Sequence, residues 1–125
     1  MKAAIIKTDL SCSMIDFEQG ESAQMIRDTV DGYYDCISLS RDRDMWINDE
    51  GKILELPFNA MATAMFHKAF QTDDYIAGDV VITGGVDDEG YTLGLSDEDV
   101  QFFTDLFEKL DKAINEYNEE EKEKV

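Results

Sequence analysis

Val100, Phe103, Phe107, Leu110, Ile114 and Tyr117 recur at intervals of 3, 4, 3, 4 and 3 residues. That heptad-like spacing places all six on one stripe of an α-helix. Ser96 is the natural N-cap, and Ser96-Asp97-Glu98-Asp99 resembles a capping box with Asp99 at its third helical position. The three acids also complement the positive end of the helix dipole. A helix over 96–117 is roughly 30 Å long at 1.5 Å rise per residue. An apolar stripe of that length has to be covered. Phe102 and Leu106 widen it, so two coverings are compatible with the pattern: the chain's own core alone, or the core plus a second copy, giving a homodimer through this helix. Residues 118–125 are nearly all charged and are expected to fray.

The preceding residues supply a sheet. Residues 2–8 and 12–18 read as strands joined by the turn Thr8-Asp9-Leu10-Ser11. Ala23, Met25, Ile26, Thr29 and Val30 recur at helical spacing, which predicts a helix over 21–31 that stops at Gly32. Strands follow at 33–39 and 45–48, with a turn at Arg41-Asp42-Arg43-Asp44 between them. Asn48-Asp49-Glu50-Gly51 reads as a hairpin turn with a return strand over 52–56, which Pro57 ends. Asn59 is a good N-cap for a helix at 60–70, with Met61, Ala62, Met65, Phe66, Ala69 and Phe70 on one face. Asp79 to Thr83 is a β-branched strand broken by Gly84-Gly85, and Tyr91 to Leu95 pairs back after the turn Asp87-Asp88-Glu89-Gly90. The expected class is α+β: a mostly antiparallel sheet, helices packed on one face and a long C-terminal helix. It forms a single domain over 1–117, with 118–125 as its tail.

Charge narrows the partners. The chain holds 29 acids against 11 bases, a net charge of −18, yet 43% of its residues are hydrophobic. That is too apolar for a disordered acidic tail. A polyanion has no electrostatic route to nucleic-acid phosphates or to an anionic membrane, so neither is an expected partner. No segment has the length of a secretory h-region or of a membrane span, and a cytoplasmic location in the host cell is expected. Cys12 and Cys36 lack CxxC spacing and read as free thiols. Between Lys68 and Lys109 there is no base, while residues 69–108 hold eleven acids. Such a region either docks on a basic partner or simply solubilises the chain.

A short echo sharpens the candidate contacts. Ile47-Asn48-Asp49-Glu50-Gly51 reappears as Val86-Asp87-Asp88-Glu89-Gly90, each followed by Leu-x-Leu. Two acidic loops can grip a basic protein; equally, Asn, Asp and Gly are the residues that hairpin turns select. Neither loop has EF-hand ligand spacing. The acidic contact set is Asp49, Glu50, Asp87, Asp88, Glu89, Asp97, Glu98 and Asp99. No catalytic constellation is present: His67 is the sole histidine, and nucleophile elbow, Walker loop and zinc-binding signatures are absent. No residue is assigned to catalysis, to a metal or to a cofactor.

The turn Trp46-Ile47-Asn48-Asp49-Glu50-Gly51-Lys52 is followed by Leu56-Pro57-Phe58-Asn59, Ala62-Thr63-Ala64 and Ala77-Gly78-Asp79-Val80-Val81-Ile82-Thr83-Gly84. Together these segments, over about residues 28–85, resemble an uncharacterised domain family of bacteria, phages and plasmids. The resemblance implies a small accessory protein, often carried on mobile elements, and carries over no catalytic residue. Two functional readings follow. The first is a non-enzymatic interaction protein, in its sharpest form an inhibitor presenting a nucleic-acid-like negative surface to a host DNA- or RNA-binding machine. The alternative is a small-molecule binder or sponge with a pocket at Tyr33, Trp46, Asn48, Asn59 and Thr63, where aromatic and amide groups combine. An enzyme ranks third.

Overall fold

A computed structural model of the chain describes residues 1–123. The apolar run Ala3 to Ile6 forms β1 (Lys2–Ile6), followed by β2 (Ser13–Asp16), α1 (Ser22–Val30), β3 (Tyr34–Ser40), β4 (Arg43–Asn48), α2 (Ala60–Ala69), β5 (Val80–Thr83) and α3 (Asp97–Glu123). The five strands make one sheet in the order β2-β1-β5-β4-β3, and every neighbouring pair is antiparallel. Two hairpins, β1–β2 and β3–β4, flank the central β5. Because β5 has a strand on each side and layers above and below, all four of its residues are buried. That is why it reads as an uninterrupted Val-Val-Ile-Thr run rather than an alternation.

The α+β architecture matches expectation, but the helices divide between the two faces. Ala4, Ile6, Met45, Val80 and Ile82 point to the side where Ala62 of α2 and Phe103 and Phe107 of α3 complete the main core. Ala3 and Val81 point the other way, to Phe17, Met25 of α1 and Trp46. The cause lies in β1 and β5, which are apolar at both parities. A sheet whose centre is apolar on both sides needs cover on both.

Two segments differ from their sequence-based expectation. The return strand predicted over 52–56 is instead a series of tight turns. Leu54 N–H donates to the Glu50 carbonyl, Leu56 N–H donates to that of Gly51, and Ile53 is 82% exposed. A strand cannot form there because both edges of β4 are already taken, by β3 and by β5. The pairing of Tyr91 to Leu95 with the end of β5 is reduced to a bridge at Val86 and Thr92, with the Gly84 N–H on the Leu93 carbonyl. The helix over 96–117 continues through Glu123, while residues 124 and 125 of the expected frayed tail lie outside the described residues.

Asn59 fastens these layers together. It is fully buried, and its Oδ1 caps α2 by accepting the Ala62 N–H at 3.0 Å. Its Nδ2 donates to the Ile6 carbonyl at 3.0 Å and to the Gly78 carbonyl at 2.9 Å. At the start of α3, Ser96 Oγ accepts the Asp99 N–H at 3.1 Å, which is one half of the expected capping box. The other half is absent because the Asp99 carboxylate is held by the Arg43 guanidinium, with Nη2 at 2.6 Å and Nε at 3.3 Å.

Replacing Asn59 by Ala removes a cap and orphans two buried carbonyls, a loss of about 2–4 kcal/mol in urea-monitored unfolding. Asn59→Asp is expected to be no better, although Asp caps helices equally well, because a buried carboxylate would face two carbonyls. Wild-type stability in the Asp variant would show that the two donated bonds do not matter. A double-mutant cycle between Arg43→Met and Asp99→Asn is expected to give a coupling of about 1 kcal/mol at low salt, weaker in 1 M salt. Zero coupling at low salt would exclude this pair from docking α3.

Candidate functional site

The echoed pentapeptide folds the same way twice. Asn48 Oδ1 accepts the Glu50 N–H at 2.8 Å, and Asp87 Oδ1 accepts the Glu89 N–H at 2.9 Å. In each copy the Gly N–H then closes the turn on the carbonyl of that same Asn or Asp, Gly51 at 3.2 Å and Gly90 at 3.0 Å. These are Asx turns, in which a short side-chain oxygen replaces a backbone acceptor. The two copies do not form one site. Asp44 pairs with Thr83, so the loop after β5 lies where β4 begins, whereas Asp49 and Glu50 follow the end of β4. Six residues of strand, roughly 20 Å, separate the two ends.

The eight candidate acids therefore sort by place and by work. Asp87 spends its carboxylate on its own turn, adding the Tyr91 N–H at 2.9 Å, and Asp99 spends its on Arg43. Asp88, Glu89, Asp97 and Glu98 are exposed at the β4-start end of the sheet, with no side-chain partner among the described residues. Asp49 and Glu50 are exposed at the opposite end. The acidic surface continues along α3 through Asp105, Glu108, Asp111, Glu116, Glu119, Glu120, Glu121 and Glu123. Over Asp97–Glu123 there are eleven acids and three lysines, and only Phe103 and Phe107 are buried. The candidate contact set takes only the three acids of the first turn of this helix, although the base-free stretch over 69–108 already includes Asp105 and Glu108.

The five residues expected to form a pocket do not converge. Tyr33 is 78% exposed. Trp46 lies on the α1 side of the sheet, where its Nε1 donates to Thr83 Oγ1 at 2.8 Å and Tyr34 packs edge-on at 5.4 Å. Asn48 Nδ2 donates to the Val30 carbonyl at 3.0 Å, closing the end of α1. Asn59 and Thr63 are buried on the α2 side, where Thr63 Oγ1 accepts the Ile76 N–H at 2.9 Å. The amides of Asn48 and Asn59 and the hydroxyl of Thr63 are occupied by the fold.

Two surface clefts stand out, and of those five residues Asn48 alone borders either of them. One, of about 320 Å³, runs from the Asn48–Ile53 turns to Phe66 and Tyr75. Its rim carries the Lys52–Asp74 ion pair, with the Lys52 ammonium 4.6 Å from the centre of the Tyr75 ring. The other, of about 280 Å³, lies between β3, α2 and α3. Phe102 and Leu106, which widen the apolar stripe of α3, and Met65 and Ala69 on the apolar face of α2 are its signals in the sequence.

The reactive side chains are quiet. Burial, and then the neighbouring Asp44 and Asp35 carboxylates, push the Cys36 thiol up to about 11, so it stays protonated at neutral pH. Burial raises the Cys12 thiol too, and both cysteines are free. His67 Nε2 lies 2.6 Å from the Asp74 carbonyl and ties α2 to the following loop. Among the described residues no three His, Cys, Asp or Glu side chains gather as a metal site, and no helix is long and apolar enough to cross a membrane.

No curated protein and no solved structure matches the chain. A family model does, over residues 1–108, well beyond the segment that carries the motif resemblance and into the first half of α3. By that match the chain belongs to the family DUF3846, a domain of unknown function.

Proposed function

We propose that this chain is a non-enzymatic interaction protein that offers an acidic surface, α3 together with the adjoining turn at Asp88 and Glu89, to a basic protein partner. The observation that carries the reading is the excess of α3 over what the core needs. Its 27 residues span about 40 Å, whereas the longest strand, β3 with seven residues, spans roughly 23 Å. Every described residue after Ile114 is exposed. A helix built only to cover the sheet would end near that point. The continuation holds five acids and one lysine among the described residues, and it lies past the family match.

A field of this sign steers a cationic partner and rejects nucleic acid. The sharper form of the proposal is a mobile-element inhibitor that occupies the nucleic-acid groove of a host machine. Asp49 and Glu50 stand at the far end of the sheet and are left out of this surface.

The immobilised chain, challenged with host extract at about 50 mM salt, is expected to retain basic proteins and release them as salt shortens the screening length toward 3 Å at 1 M. Neutralising Asp88, Glu89, Asp97 and Glu98 to their amides is expected to lower the salt needed for release, and neutralising the acids of 116–123 to lower it further. An empty low-salt eluate, or one unchanged by both sets of substitutions, would overturn the proposal.

A further inference from the structure

The cleft between β3, α2 and the first turns of α3 combines features that the acidic-surface reading does not use. Its walls are Leu39, Met65, Phe102 and Leu106, and two cations, Arg43 and Lys68, border it. Arg43 is spent: its fork to Asp99 balances its charge, and the guanidinium lies 5.3 Å from the Phe102 ring centre and 5.2 Å from that of Phe103. The same contacts hold the aromatic wall in place. Lys68, exposed in the last turn of α2, makes no ion pair among the described residues. An unmatched ammonium therefore stands beside an apolar cleft, on a chain whose acids outnumber its bases 29 to 11.

We infer that this cleft binds a small amphipathic monocarboxylate, its apolar tail on Leu39, Met65, Phe102 and Leu106 and its carboxylate on Lys68. The tail is required because the net field of the protein repels anions. A bare carboxylate gains one charged contact against that field, whereas burial of apolar area adds an attraction that charge does not cancel. The volume of about 280 Å³ equals that of roughly nine waters at about 30 Å³ each, which suits a small acid with a short apolar tail. The inference is independent of the acidic-surface proposal, since none of its exposed acids lines the cleft.

The test uses the full chain, isotope-labelled, with octanoate below its micellar range as the probe. Saturable NMR shifts are expected at residues 39, 65, 68, 102 and 106. Acetate is expected to give none, and octylamine none at this cleft. Lys68→Met, at an exposed position, is expected to leave the melting temperature unchanged and to weaken octanoate about tenfold, the scale of one charge-assisted hydrogen bond. Lys68→Glu is expected to abolish binding. Octanoate shifts that do not saturate or that map elsewhere would overturn the inference. So would equal affinity in Lys68→Met, or octylamine binding as tightly as octanoate. Sedimentation showing a dimer that buries Phe102 and Leu106, and that octanoate does not dissociate, would assign the cleft to a contact between copies and also overturn it.

Discussion

A single carboxamide determines how the pieces of this chain meet. Asn59 sits where no water reaches, and each of its polar functions is matched: the oxygen by the first turn of α2, the nitrogen by the last carbonyl of β1 and by the carbonyl of Gly78. Three segments far apart in sequence are thereby fixed to one another before any apolar packing is counted. Thr63 repeats the device one turn further along α2, exchanging hydrogen bonds with both backbone groups of Ile76. Together the two side chains hold residues 76–78 against α2 and so aim β5 into the gap between the hairpins. Gly78 allows the close approach: it adopts φ +90°, and a Cβ there would meet Leu56 Cδ1 at 2.9 Å. Among the described residues no buried side-chain polar atom lacks a partner. A buried amide is stabilising only under that condition.

Once β5 is placed, the charge distribution follows. The strand completes a sheet that is apolar on both sides at its centre, so helices must lie on both faces, and most acids fall in turns, on outer strands or on the outer face of α3, with Asp44 of β4 buried and accepting from the Ser38 hydroxyl. The bases that pair are used locally. Lys2 meets Asp16 on neighbouring strands, Lys52 meets Asp74 between loops, and Arg43 meets Asp99 between sheet and helix. The first two pairs are substantially exposed and are worth little; Arg43–Asp99 is better shielded, and its two-pronged geometry is the kind that fixes orientation. Repulsion among the exposed acids is tolerated because they point into solvent, where it is screened.

How much of this was readable in advance depended on whether the deciding interaction was local. The caps at Asn59 and Ser96, the helices they begin and the β-branched strand at Val80–Thr83 each announce themselves within a few residues, and each is where the pattern placed it. The return strand expected at 52–56 does not form because its signal, the Asn48-Asp49-Glu50-Gly51 turn, is local, whereas the edge it would pair with is filled by β5, some thirty residues later in the chain. The disposition of α1 escaped for a related reason. Its apolar stripe was visible, but the face it would cover depended on register in strands that are apolar at both parities. The candidate pocket suffered most. Asn48, Asn59 and Thr63 stand near the aromatic Tyr33 and Trp46 in the sequence, and a polar side chain in that setting can serve a ligand or serve the backbone. Here all three serve the backbone.

The echoed pentapeptide carries the same lesson into function. Identical turn chemistry at Asn48 and Asp87 produces identical local hydrogen bonds, and there the likeness ends, because one copy continues into coiled turns and the other into a bridge beside β5. Repetition in the sequence therefore reports a shared local solution to reversing the chain, with no second half of a binding site implied. The exposed acids beside those turns gain or lose meaning by what else stands at their end of the sheet. Asp88 and Glu89 adjoin the start of a long acidic helix, so their charges add to a continuous field. Asp49 and Glu50 stand alone beside Lys52, which is itself tied to Asp74. Equal residues in equal turns thus differ in electrostatic consequence, because a field that steers a partner is a property of the surface around a loop, and the topology of β4 and β5 gives the two loops different surroundings.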